Sequence, residues 1–144
     1  MTVTFHTATL ADKPTVDALV KACGKFVSTY RDIRNLDAMY RKGQVHVAEK
    51  GATVVGFAVA PHLVRSPWTS IYEIGVHPGW QRQGIGRDFV HYLHAVSPHS
   101  RLRLVCDERN TTAMAFYQAL GFVTTATKLN RHGEPIARLE YPAP

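Results

Sequence analysis

GVHPGWQRQGIGRDF, residues 75–89, leaves an apolar run that reads as a strand and enters a run with helical spacing. Glycine is a poor helix former, so Gly84 and Gly86 weaken the start of the helix they introduce. A bound anion would offset that weakness. A helix start exposes unpaired backbone N–H groups and the positive end of the helix dipole, and phosphate binds well there. Glycines let the backbone approach a phosphate with no Cβ in the way, and successive N–H groups then form a concave nest. Gln81, Arg82 and Arg87 add side-chain donors and charge. Pro78 fixes the chain as it leaves the strand, and Trp80 packs the loop onto the core. A tight strand-to-helix connection would explain an isolated G-x-G, but the string here is V-x-P-x-x-Q-x-x-G-I-G, from Val76 to Gly86. No Lys-Ser/Thr follows the second glycine, and the third glycine of a dinucleotide fingerprint is missing. The phosphate therefore belongs to another kind of ligand.

Working outward, SIYEIGV (70–76) is the strand before the loop, and Ile85, Phe89, Leu93 and Val96 mark the buried face of the helix after it. RLRLVC (101–106) is a further strand, and TTAMAFYQAL (111–120) a helix stopped by Gly121. FVTTATKLN (122–130) and IARLEY (136–141) close the chain as a hairpin. On the N-terminal side, residues 3–9 read as a strand and Asp12 caps a helix carrying Pro14 in its first turn. Val16, Leu19, Val20 and Cys23 form its apolar face. Ile33, Leu36, Met39 and Tyr40 predict a second helix closed by Gly43, and residues 44–60 a hairpin turning at KGA. This order predicts one α/β domain over residues 1–144, with a mixed, mostly antiparallel central sheet of about seven strands and about four flanking helices.

Composition narrows the class. Lys and Arg number 17 against 11 Asp and Glu, a net charge of +6, which calls for an anionic partner. No window reaches the apolar length of a membrane span, and residues 1–13 do not read as a secretory signal. Cys23 and Cys106 sit in apolar surroundings at a spacing that suits neither a zinc site nor a disulfide framework. Two buried thiols fit a reducing cytoplasm. His91 and His94, three apart on a helix, are a two-ligand face with no third ligand in view; solvated histidines are expected, and no metal.

Val76, Pro78, Gln81, Gly84, Ile85 and Gly86 resemble the acyl-CoA signature of the GNAT N-acetyltransferases. Asn110, Ala113, Phe116, Tyr117, Leu120, Gly121 and Phe122 stand where that family places its second cofactor motif. The two blocks come in the family's order; the general layout fits from residue 3 to 141, the motifs cover 73–122, and the N-terminal third carries little of the resemblance. The resemblance implies acetyl-CoA as cofactor, held by the backbone of Gln81, Arg82, Gln83, Gly84, Ile85, Gly86 and Arg87. It also implies splayed strands in the middle of the sheet, with the pantetheine arm along Ile74, Gly75 and Val76 and a bulge near Gly75 and Val76 aiming an N–H at the thioester oxygen. Tyr117 matches the tyrosine that protonates the departing thiolate, and Asn110 either tethers the arm or caps its helix. Glu73 is the carboxylate placed to act as base, directly or through water. Side chains alternate along a strand, so Tyr72 and Glu73 face opposite ways unless a bulge intervenes. The base position that some relatives have on the next strand falls at about Val105, which cannot act, and His77 reads as a loop histidine near the cofactor.

The acceptor is less legible. From Lys25 to Lys42 there are five basic residues and two acidic ones, unfriendly to a polycation and suited to an amine that carries a carboxylate or phosphate. Tyr30, Tyr40, Trp68 and Tyr72 are the candidate acceptor-binding side chains, and Phe26 is a further ring that could stack; core packing is the competing explanation for most of these aromatics. Arg101 and Arg103 alternate outward and read as a solvated face. The expected activity is transfer of an acetyl group to a primary amine by direct attack in a ternary complex. A small-molecule acceptor, a nucleic-acid base or its bound adduct, and a non-catalytic acyl-CoA sensor all remain open, as does a homodimer; no membrane partner is expected. Tyr117 and Glu73 together speak against the sensor.

Overall fold

The computed structural model describes residues 2–144; the side chains of Lys25, Phe26 and Ser28 lie outside the described set, so neither the expected stacking of Phe26 nor the charge at Lys25 is placed. In chain order the elements are β1 (Val3–Thr7), α1 (Lys13–Cys23), α2 (Leu36–Arg41), β2 (Val45–Lys50), β3 (Thr53–Val59), β4 (Thr69–Ser70), β5 (Glu73–Val76), α3 (Ile85–Val96), β6 (Leu102–Asp107), α4 (Thr111–Ala119), β7 (Val123–Leu129) and β8 (Pro135–Tyr141). The strands form two four-stranded sheets, β1-β2-β3-β5 and β4-β6-β8-β7. All pairs are antiparallel except β4 with β6.

The eighth strand arises because the expected single strand over 70–76 is broken. Thr69 and Ser70 pair with Leu102 and Arg103, whereas Glu73 to Val76 pair with Val59 to Gly56. At the break, the Ile71 N–H bonds Arg103 O and the Tyr72 N–H bonds Val59 O, each at 2.8 Å. The chain thus changes sheets within two residues. Beyond this junction β5 and β6 are not hydrogen-bonded, and the splay opens between them.

Two apolar layers hold this arrangement. Val16, Leu19, Val20 and Cys23 of α1 pack with Val45, Val47, Phe57 and Val59 of the first sheet. On the other side Ile85, Phe89, Val90 and Leu93 of α3 pack against Ala48, Val55 and Ala58 of the first sheet and Leu102, Leu104, Ala137 and Leu139 of the second. α3 therefore straddles the split, and burying Phe89 or Leu93 contributes roughly 1.5–3 kcal/mol each. Helical spacing placed Val96 on this face, but it is 50% exposed. Ser97 is buried instead, its hydroxyl 2.8 Å from that of Thr69, which ties the end of α3 to the edge of the second sheet. The second helix starts at Leu36 rather than Ile33, because Ile33 is extended (ψ 120°) and Asn35 takes a left-handed turn (φ 60°). Between α1 and α2 the chain runs as a 3-10 stretch, Gly24–Asp32, kinked at Val27.

Candidate active site

The loop after β5 is shaped by its backbone. Pro78–Trp80 make a short 3-10 turn whose entry is held by the Gly79 N–H donating to His77 Nδ1 at 3.0 Å. Trp80 packs against the α3 core layer, with Lys50 Nζ 5.0 Å from its ring centroid. Arg82 (φ 63°) and Gly84 (φ 79°) are both left-handed, which curls the chain so that its amides converge. A Cβ on Gly84 would come within 2.9 Å of the Arg87 guanidinium. Ile85 is buried, so only its backbone faces the nest, while Gln81, Arg82, Gln83 and Arg87 are exposed around it. The nest, the α3 N-terminus behind it and these side chains fit a pyrophosphate by geometry and by charge.

The edge of β5 continues the site. The His77 N–H bonds Val55 O at 2.8 Å, and the two-residue alternation of an antiparallel ladder then turns the Ile74 and Val76 amides toward the splay. Gln81 Nε2 donates to Val76 O at 3.1 Å, binding the loop to the strand it follows. The expected bulge at Gly75 and Val76 is absent: the β3–β5 register runs unshifted from Gly56↔Val76 to Val59↔Glu73. The irregularity lies earlier, at Ile71 and Tyr72, where two sheets compete for one chain. Gly75 answers to close packing, since a Cβ there would lie 2.7 Å from Phe57 and 3.0 Å from Val27.

Glu73 points to the side of the 3-10 stretch. Thr29 Oγ1 donates to its carboxylate. Burial raises the Glu73 carboxyl above its ordinary value, and the hydrogen bonds from Thr29 and the Ile74 amide only partly oppose this. Tyr117, on α4, packs half-buried against the core layer that includes Cys106 and is flanked by the rings of Phe116 and Phe122 at 5.1 and 5.3 Å. Its phenol is raised by burial first, then by the nearby Cys106 and Glu73 charges, so it holds its proton at neutral pH. The Glu73 carboxylate is near enough to Tyr117 for its charge to be felt at the phenol. Asn110 caps α4, its side chain accepting from the Ala113 N–H at 3.1 Å.

At the apex of the splay is a cavity of about 370 Å³ lined by Thr29, Ile33, Tyr72, Arg103 and Val105, with Ser70, Ile71 and Leu104 beneath. Tyr72 and the Glu73 partner Thr29 share this wall because the strand breaks between the sheets, so the strict alternation expected for Tyr72 and Glu73 does not separate them.

A GNAT acetyltransferase domain model matches residues 41–124. The chain belongs to the GNAT acetyltransferases. It is 36% identical to the 5-NmdU N-acetyltransferase of Pseudomonas phage PaMx11 over 97 residues, 67% of this chain and 69% of that one. It is 34% identical to the N-alpha-acetyltransferase RimI of Mycobacterium tuberculosis over 77 residues, 52% of this chain and 49% of the relative. The fold matches the PaiA N-acetyltransferase of Thermoplasma acidophilum, solved in complex with coenzyme A, with a TM-score of 0.75 at 15% identity, covering 98% of this chain and 100% of that one. This GNAT chain is accordingly an acetyl-CoA-dependent N-acetyltransferase, and the splayed α/β fold is the family's.

Within this GNAT fold two of the expected acceptor contacts move into the core. Tyr30 and Tyr40 are 3% and 2% exposed; their hydroxyls lie 2.9 Å apart, and Tyr30 also donates to Asp17 at 2.8 Å. Both rings serve the α1 layer and present no face to an acceptor. Trp68 is buried too, but beside the cavity, with the guanidinium carbons of Arg101 and Arg103 at 4.1 and 4.4 Å from its ring centroid. Two cavity residues were not legible as such. Thr29 carries no motif, and Arg103 read as plain surface; only the tertiary pairing of β4 with β6 brings it to the cavity wall. Among the described residues no group of three or more His, Cys, Asp or Glu could hold a metal ion, and no helix is long and apolar enough to cross a membrane.

Proposed function

We propose that this GNAT enzyme transfers the acetyl group to a primary amine by direct attack in a ternary complex, on an acceptor that carries an anionic group beside the amine. What supports this reading is Thr29, which donates to the Glu73 carboxylate and also lines the cavity together with Arg103, and the Glu73 charge that contributes to the raised Tyr117 phenol. Bound acetyl-CoA supplies the acyl thioester, held by the nest at residues 81–87 and by the free edge of β5. Glu73 takes the proton of the incoming ammonium, and its raised pKa makes it a better base than an ordinary carboxylate. The amine, held in the cavity, gains mostly from positioning. Tyr117 returns a proton to the departing thiolate. Burial that raises Tyr117 also raises the neighbouring Cys106 thiol, so a thiolate formed in that cleft is penalised as well, which favours its protonation. Asn110 spends its side-chain oxygen on the α4 cap, which leaves its amide nitrogen for the cofactor arm.

An amine borne by a nucleic-acid base is the second reading, favoured by the likeness to an N-acetyltransferase named for 5-NmdU. A reducing, cytoplasmic setting fits the two free buried thiols. Incubation of the protein with labelled acetyl-CoA and cell-extract metabolites, nucleosides and digested nucleic acid, followed by mass spectrometry, is expected to show one labelled class of amide. Stoichiometric CoA release with no labelled amide in any fraction would remove the transferase reading.

A further inference from the structure

The second sheet has one face covered by α3 and α4 and one face bare. Leu102, Leu104, Cys106, Ala137 and Leu139 point to the covered side. Their neighbours Arg103, Val105 and Asp107 on β6 point the other way, directly opposite Glu140, Arg138 and Ile136 on β8. β7 adds Lys128 opposite Ile136 on that same face. Val105 is 59% exposed, and the Arg138 side chain 42%. Among the described residues two carboxylates share this face: Glu140, nearly buried, takes Arg103 at 2.6 Å and Arg138 at 3.9 Å, and Asp107 at the far end of β6 is paired with Arg109 at 2.7 Å. Arg101, Arg103, Arg138 and Lys128 outnumber these two carboxylates and leave the face positive.

The cations are also held in place. Trp68 is flanked by the Arg101 and Arg103 guanidiniums, Glu140 fixes Arg103 from the side, and Arg138 Nε donates to Thr125 Oγ1 at 3.1 Å. A planar guanidinium held by one edge still offers its other N–H groups in a fork that matches a phosphate. The face runs into the acceptor cavity, because Arg103 and Val105 belong to both. At the cavity mouth Tyr72 is 48% exposed, a ring on which a base could stack.

Resting on the transferase reading above, we propose that this bare sheet face is a phosphate track for a single-stranded or locally unpaired nucleic acid, which delivers an amine-bearing base into the cavity past Tyr72. A cavity of about 370 Å³ takes one base and not a folded duplex, and a base can enter only when it is out of the stack. Three of the four cations are arginine, whose fork suits phosphate and carboxylate alike, so it is the adjoining one-base cavity and the Tyr72 ring that favour a nucleic acid over an acidic polypeptide.

The test is fluorescence anisotropy with a short single-stranded oligothymidylate, titrated over a range of salt, alongside polyglutamate of matched length and calorimetry with acetyl-CoA. The oligonucleotide is expected to bind with an affinity that falls linearly on a log–log salt plot. In the R138Q/K128Q double variant the slope should drop by about 1.4, roughly 0.7 per lost phosphate contact, with acetyl-CoA affinity unchanged. The charge-conserving R138K/K128R pair should restore the slope. A flat salt dependence in the unmutated protein, an unchanged slope in the double variant, or polyglutamate binding as tightly as the oligonucleotide would each overturn the track. Should oligonucleotide binding fail while acetyl-CoA binds, the track falls and the transferase reading stands. Should acetyl-CoA itself not bind the folded protein, the transferase reading falls first.

Discussion

At the scale of single residues, the site works by burial. Tyr117 and Glu73 are ordinary side chains whose proton affinities are each raised by burial. Tyr117→Phe removes the proton donor and little else, so kcat should fall by roughly 10²–10⁴-fold while the cofactor dissociation constant hardly moves. Steady-state rates beside calorimetry check this; a normal kcat would reassign the acid. For Glu73 the sign of the pH effect is set by the direction of its shift. A base must be unprotonated, so the acid limb of kcat/KM is expected above the ordinary Glu value of 4.5. The Thr29 hydrogen bond favours the charged form, so Thr29→Val should move that limb to still higher pH, and Glu73→Gln should erase it. An unaltered limb in Glu73→Gln would place the base elsewhere. Both catalytic candidates are proposed from their place in the motifs. Thr29 was not legible there, since its role depends on a 3-10 stretch that only the packing of α1 and β5 puts beside Glu73.

At the scale of elements, the proposed cofactor nest and the splay have different origins. The nest is written into the sequence, because Gly84 tolerates φ 79° and the following residues propagate a helix from it. Gly84→Trp combines left-handed strain with a side chain in the anion's place. Acetyl-CoA affinity should fall at least tenfold, about 1.4 kcal/mol or more, while Gly84→Asn, which tolerates that conformation, should retain most of it. Calorimetry on both variants decides; equal affinities would mean that the phosphate lies elsewhere. The splay is different. Residues 70–76 have the pattern of one continuous strand, and nothing local marks the break at Ile71 and Tyr72. It occurs because β4 pairs with β6 and β5 with β3, and the two partners diverge.

At the scale of the whole molecule, α3 and the two sheets form one packed unit, and His46 reports on it. His46 is 5% exposed on β2, its Nδ1 2.9 Å from the Tyr92 hydroxyl of α3, and burial pushes its pKa down to about 4. The unfolded chain holds that proton near 6.5, so its contribution to stability is complete above that pH and is lost as pH falls toward 4. The loss approaches about 3 kcal/mol at the acid end. Glu73, whose shift is upward, works in the opposite sense over the carboxylate range. Urea unfolding at several pH values should show a stability slope between 6.5 and 4 that flattens in His46→Gln; an equal slope in both proteins would show that His46 is not held neutral.

By itself the sequence determined most of the succession of strands and helices, the glycine-bearing loop at residues 81–87, the α4 block with Asn110 and Tyr117, and from these the family. Those features are local: periodicity, capping and left-handed glycine act within a few residues, and so they can be read along the chain. Only the tertiary structure decided where β5 parts from β6, that Tyr30 and Tyr40 close the α1 core, and that Arg103, stacked on Trp68, meets Thr29 at the cavity. Each of these depends on which strand pairs with which and on how deeply a ring is buried. Those outcomes follow from long-range competition for hydrogen bonds and apolar area, and a linear pattern does not carry them.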